Sequence, residues 1–201
     1  VGADALLVNT TGSENTAVGK GAADAVTTGV RTVAVGYNAG GALTTGDSNV
    51  AIGYQALMTE DEHSNNTAVG ASALQTQNAG AHAYNAAVGF EAGKDNTTGA
   101  GNTFIGGLAG ANNTTASDNT AVGRSSFETN TTGANNTAIG RSALVSNTTA
   151  SNNTAVGYNS LGANTTGASN TSLGYAALPA NTTAASNVSI GADSMTTNTT
   201  G

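Results

Sequence analysis

A glycine preceded by Val, Ile or Leu returns at Gly2, Gly19, Gly36, Gly53, Gly70, Gly89, Gly106, Gly123, Gly140, Gly157, Gly174 and Gly191. Ten of the eleven intervals are 17 residues, and one, Gly70 to Gly89, is 19. Repeats this short cannot each bury a core of their own, so they must stack and bury a shared one. Residues 1–201 therefore read as one uninterrupted array, without linker or second domain, carrying a two-residue insertion between Gly70 and Gly89.

Each unit approximates N-T-A-V-G-Y-x-A-L-x-x-N-T-T-G-A-S. The residue before the glycine is branched and apolar, and Thr or Val lies two residues earlier. That alternation has the period of a β-strand. Val18, Val35, Ile52, Val69, Val122, Ile139 and Val156 are accordingly read as core residues. Four positions after the glycine comes Leu in half of the units, for example Leu57, Leu74, Leu144, Leu161 and Leu178. Asn-Thr-Thr-Gly follows, where Asn and Gly tolerate left-handed backbone and Asn or Thr can bond to nearby backbone. Two short strands and two corners per unit predict an all-β, parallel β-solenoid (β-roll) of about twelve 17-residue coils. Gly, Asn, Thr and β-branched residues disfavour a helical repeat throughout.

Stacking in register places like residues on like. Asn15, Asn49, Asn66, Asn119, Asn136, Asn153 and Asn170, four before the glycine, are expected to form a structural ladder bonding one coil to the next. With 3 Phe, 5 Tyr and no Trp, few large side chains are available to a core. Each coil offers two, worth roughly 1.5–3 kcal/mol apiece, against about 1–2 kcal/mol of backbone entropy per residue. Self-association is expected to supply the rest, through the Ala and Gly stripes on the strand face opposite the Val/Ile column. Three chains about an axis, or an end-to-end filament, would serve.

Asn-Thr-Ala-Val-Gly, and Asn-Val-Ala-Ile-Gly from Asn49 to Gly53, with Ala or Ser three positions on, resemble the head repeats of YadA-like trimeric autotransporter adhesins. Arrays of N-T-A-[VI]-G with N-T-T-G also resemble bacteriophage tail-fibre shafts. The resemblance spans the whole chain and implies a left-handed β-roll assembled as a trimer, with small residues facing the threefold axis. The N-T-T-G corner makes the unit here longer than the adhesin one. Neither end carries a capping segment, which suggests a window from a longer fibre or a subunit stacked end to end.

Chemistry-bearing residues are sparse. Net charge is −7, and the five cations, Lys20, Arg31, Lys94, Arg124 and Arg141, are scattered, which argues against nucleic acid. Without Cys there is no thiolate site. No stretch approaches the ~20 apolar residues of a membrane helix. The two histidines, His63 and His82, are expected at one edge of neighbouring coils near Glu60 and Glu62. Such a group suits a divalent cation, but the plainer reading is a solvated, variable corner, so no metal, cofactor or catalytic residue is assigned. Asn96, Asn113, Asn130, Asn147, Asn164 and Asn181 each open an Asn-Thr-Thr glycosylation sequon. The expected function is a non-enzymatic structural fibre or adhesin segment, extracellular, at a cell surface or on a virion, spacing or presenting host-surface binding. The alternatives are a carbohydrate- or ice-binding surface on the Thr/Asn stripes, or a glycosylated extracellular filament. A host glycan or receptor is a further possible partner.

Overall fold

A computed structural model describes residues 1–80 and 82–200. Eleven strands follow one another at the spacing of the repeat. They are β1 Thr16–Val18, β2 Val33–Val35, β3 Val50–Ile52, β4 Thr67–Val69, β5 Ala86–Val88, β6 Thr103–Ile105, β7 Thr120–Val122, β8 Thr137–Ile139, β9 Thr154–Val156, β10 Thr171–Leu173 and β11 Val188–Ile190. All are parallel and lie in sequence order in a single sheet. Each repeat unit pairs with the next, as in Thr120↔Thr137, Ala121↔Ala138 and Val122↔Ile139. The register survives the insertion, with Val69 opposite Val88. The chain is thus an all-β, parallel β-solenoid, and among the described residues it has no helix.

Only one strand forms per coil, not the two expected. The rest of each lap turns through residues with positive φ, three in a typical unit: Ser142 (58°), Leu144 (49°) and Asn152 (63°). Non-glycine residues rarely enter this region. Here the backbone is pinned from the adjoining coils, Ser142 N–H donating to Arg124 O at 3.1 Å and Leu144 N–H to Ser160 O at 3.0 Å. Such bonds hold a conformation that an isolated turn would abandon.

The marker glycines are fixed by the same stacking. Gly140 has φ 128°, and a Cβ on it would lie 2.5 Å from Gly157 O in the next coil. Only a residue without a side chain lets successive coils close to strand spacing there.

The alternation along each strand is as read, but inside and outside are exchanged. The middle residue, Ala34, Ala51, Ala68, Ala87, Ala121, Ala138 or Ala155, is 0% exposed. The flanking column read as core faces outward: Val18, Ile52 and Ile139 are exposed, at 44%, 37% and 39%, and Val35, Val69, Val122 and Val156 are half-buried. A period of two says which residues share a face, not which face is the interior. The interior admits little more than Ala because Leu57, Leu74, Phe127, Leu144, Leu161 and Leu178 come in from the turn side and fill it. The Ala stripe is therefore used up within one chain and cannot be what faces a partner.

Substitutions in the core keep its volume. In β6 the middle residue is Phe104, and the Leu position on its own and the preceding coil is Gly110 and Gly93. A Cβ on Gly93 would stand 2.6 Å from Phe104 Cδ2, and one on Gly110 would also strike the ring. Earlier, Gly40 occupies the Leu position while buried Leu43 fills the Asn-corner position three residues on; a Cβ on Gly40 would lie 2.8 Å from Leu43 Cδ1. Bulk moves around the lap while the cross-section stays filled.

Candidate functional site

Two asparagine columns run through the stack. In the first, the carboxamide carbonyl accepts a backbone N–H from the next coil: Thr32 N to Asn15 Oδ1 at 2.9 Å, Asn66 N to Asn49 Oδ1 at 2.9 Å, and Asn170 N to Asn153 Oδ1 at 2.9 Å. The amide nitrogen donates to a corner carbonyl fourteen residues on, as from Asn153 to Gly167 O at 2.9 Å and from Asn170 to Ala184 O at 2.8 Å. Asn136 bonds back to Asn119 in the same way. These side chains link strand to corner, so the ladder is made by side chain and backbone together. Asn66 Nδ2 has no partner. Asn119 Nδ2 lacks one as well, in a coil of ordinary length.

The second column lies at the Asn-Thr-Thr corners, whose sequons made them possible glycan acceptors beside the plainer reading as turns. Asn96, Asn113, Asn130, Asn147, Asn164 and Asn181 are 0% exposed. Asn113 Nδ2 donates to Asn96 Oδ1 at 2.7 Å, Asn130 to Asn113 at 2.8 Å, Asn147 to Asn130 at 3.0 Å, Asn164 to Asn147 at 3.1 Å and Asn181 to Asn164 at 2.8 Å. The second amide hydrogen goes to the carbonyl three residues on, as from Asn130 to Gly133 O at 3.0 Å. The nitrogen that would carry a sugar is thus buried and fully bonded, and the folded chain offers no glycosylation site at these six positions. Sequons on a solenoid coincide with corner chemistry because Asn-Thr serves both.

The amide column points one way, its donors toward the N-terminal coils. Asn96 Nδ2 donates to Gln77 Oε1, and the place one coil further back is taken by Glu60. Both are 0% exposed, and Gln77 Nε2 and Glu60 Oε2 lack partners. Beyond Glu60 the column turns apolar with buried Leu43 and Val26.

Corner 60–63 was read as solvated, but the structure buries its first residue. Glu60 Oε1 accepts from His63 N–H at 3.1 Å and stands 2.7 Å from His63 Nδ1. Asp61 Oδ1 is 3.9 Å from the same nitrogen and accepts from Glu62 N–H at 2.8 Å. Burial pushes the Glu60 carboxyl above its ordinary value, and the hydrogen bonds from His63 pull it partly back. The expected company differs from that found: Asp61 joins the group, while Glu62 and His82 do not. His82 instead lies edge-on to Tyr84, with ring centroids 6.1 Å apart.

The outer surface carries two neighbouring files. One is the outward Val/Ile column. The other, directly after the marker glycine, contains Lys20, Tyr37, Tyr54, Phe90, Arg124, Arg141, Tyr158 and Tyr175. Tyr37 stacks on Tyr54 at 5.5 Å and Tyr158 on Tyr175 at 5.2 Å, all four rings exposed, with the Arg141 guanidinium 5.6 Å from the Tyr158 ring. Three of the cations, Lys20, Arg124 and Arg141, thus share a file with the rings, which counting one residue past each glycine shows from the sequence.

No protein-family model, curated protein or solved structure matches the chain. The fold alone defines its class, a β-solenoid repeat protein.

Proposed function

We propose that the chain is a segment of a non-enzymatic structural fibre or adhesin, a stiff extracellular or virion rod, and that copies of it associate side by side, three about an axis, through the outward Val/Ile file. The observation that carries this reading is the file itself: a branched apolar side chain turned outward at every coil from Val18 to Ile190. Eleven coils at about 4.8 Å make a stripe about 50 Å long. An apolar file running the length of the sheet is the kind of exposed patch that marks an interaction surface. The stripe replaces the Ala/Gly face as the contact surface. The adhesin and tail-fibre resemblance supports a trimer and the left-handed sense of the coil, although it implies small residues, and not this file, at the axis.

Sedimentation of the chain tests the proposal. A trimer is expected, and I52K/I105K/I139K should convert it to a monomer with unchanged β-structure, because all three side chains point away from the core. A monomeric parent, or a trimeric lysine variant, overturns it.

A second reading rests on the outer corner threonines. Thr98, Thr115, Thr132, Thr149 and Thr166 are exposed, one per coil in a single file, and such a row of hydroxyls could bind carbohydrate or ice. Replacing all five with Ala and measuring adsorption to cells and to ice decides it: undiminished adsorption eliminates the reading.

A further inference from the structure

Coils bond corner to corner wherever the array is regular. Thr131 Oγ1, for example, donates to Thr148 O at 3.0 Å, and the N–H groups of Thr131 and Thr132 converge on that same oxygen. Corner 60–63 is different. Coil-to-coil bonding reaches it from below, Thr44 N–H and Oγ1 both donating to Asp61 O. On the other side lies the two-residue insertion, where a Cβ on Gly80 would meet nothing within 4 Å. The corner is held instead by its own side chains, with the Glu60, Asp61 and His63 ligand atoms all within 4.8 Å of one another.

An independent observation is the state of Glu60. Every other described unit fills this place with Asn, Gln, Val or Leu. Here a carboxylate is wholly buried, one of its oxygens bonds to His63, and the other has no hydrogen-bond partner among the described residues. A buried carboxylate without a cation is costly, and no Lys or Arg pairs with it: among the described residues its only ion-pair partner is His63.

We propose that Glu60, Asp61 and His63 bind one divalent transition cation of the zinc class, which clamps the corner at the one break in the 17-residue period. The donors, one imidazole nitrogen and two carboxylates, are the set such ions take. Ligands at 2.0–2.2 Å in a tetrahedron stand about 3.4 Å apart. The distances from His63 Nδ1, 2.7 Å to Glu60 Oε1 and 3.9 Å to Asp61 Oδ1, bracket that value. Small shifts of the Asp61 side chain, 45% exposed, and of the His63 ring make the site. Ligation through Nδ1 uses the imidazole tautomer that carries its one ring proton on Nε2. The free Glu60 Oε2 gains a cation beside it, and water completes the shell on the exposed side. None of this depends on how copies of the chain assemble.

The full chain, stripped with chelator and titrated with zinc ion alone, tests the site by calorimetry, by thermal unfolding and by the His63 ring signals in NMR. One zinc per chain, a raised unfolding midpoint and shifted His63 but not His82 resonances are expected. Affinity should fall at least tenfold in H63Q, and also in D61N, whose exposed side chain leaves folding intact. Absence of binding, unchanged affinity in D61N and H63Q, or shifts at His82 instead would each overturn the proposal.

Discussion

At Gly140 the backbone has φ 128° and the next coil's carbonyl lies where a methyl group would go. Gly140→Ala therefore combines a backbone region closed to L-residues with a clash, and should destabilise the chain by about 3 kcal/mol or more, read from denaturant unfolding. Glu60 gives the opposite expectation. In chelator, Glu60→Gln removes an uncompensated buried carboxyl and supplies a carboxamide in line with the amide column. It should stabilise the fold by about 1 kcal/mol, seen as a raised denaturant midpoint. The marker glycine was legible in the sequence because its cause, close stacking, repeats at every coil. The buried Glu60 was not: charged residues are normally read as solvated, and only the column to which the position belongs reveals that it points inward.

Strands and corners divide the work unequally. The strand alternation, the parallel register and the first asparagine column follow from periodicity, because a constant interval puts identical atoms above one another. Which strand face is interior does not follow. The sequence hints at it only through Phe104, whose bulk is matched by Gly93 and Gly110. That compensation is testable. Phe104→Ala alone leaves a cavity worth about 3–5 kcal/mol, and adding Gly110→Leu should recover much of it, since Leu57 and Leu144 hold a similar positive φ at the matching position. An outward-facing Phe104 would give no such rescue. At the corners, Asn130→Ala would strand Asn113 Oδ1 and one hydrogen of Asn147 Nδ2 inside the coil. The expected loss is about 2–4 kcal/mol, measured by thermal unfolding. This second column escaped the sequence reading because Asn-Thr-Thr suits an exposed sequon and a buried ladder equally.

Across the whole molecule, each coil touches only its neighbours, so stability and length are expected to grow together, one lap at a time. The coils close on themselves around buried Ala, Leu and Phe columns, and the branched apolar file lines one outer flank. Everything rests on one lap per 17 residues, with the bonds of each coil drawn from the residues one period away. Removing residues 125–141 deletes one period and rejoins a Gly-Arg pair to the Asn-Thr-Ala-Ile-Gly-Arg lap's own continuation, so that β7 meets β9 with every column aligned. Removing 125–140 leaves one residue too many in that lap, placed in the bonded turn just after the marker glycine rather than at the corner where the natural insertion is absorbed. Thermal unfolding of the two deletions is the direct measurement. The 17-residue deletion should melt cooperatively near the parent, and the 16-residue deletion should lose its cooperative transition or melt far lower. Equal melting of the two would contradict the account.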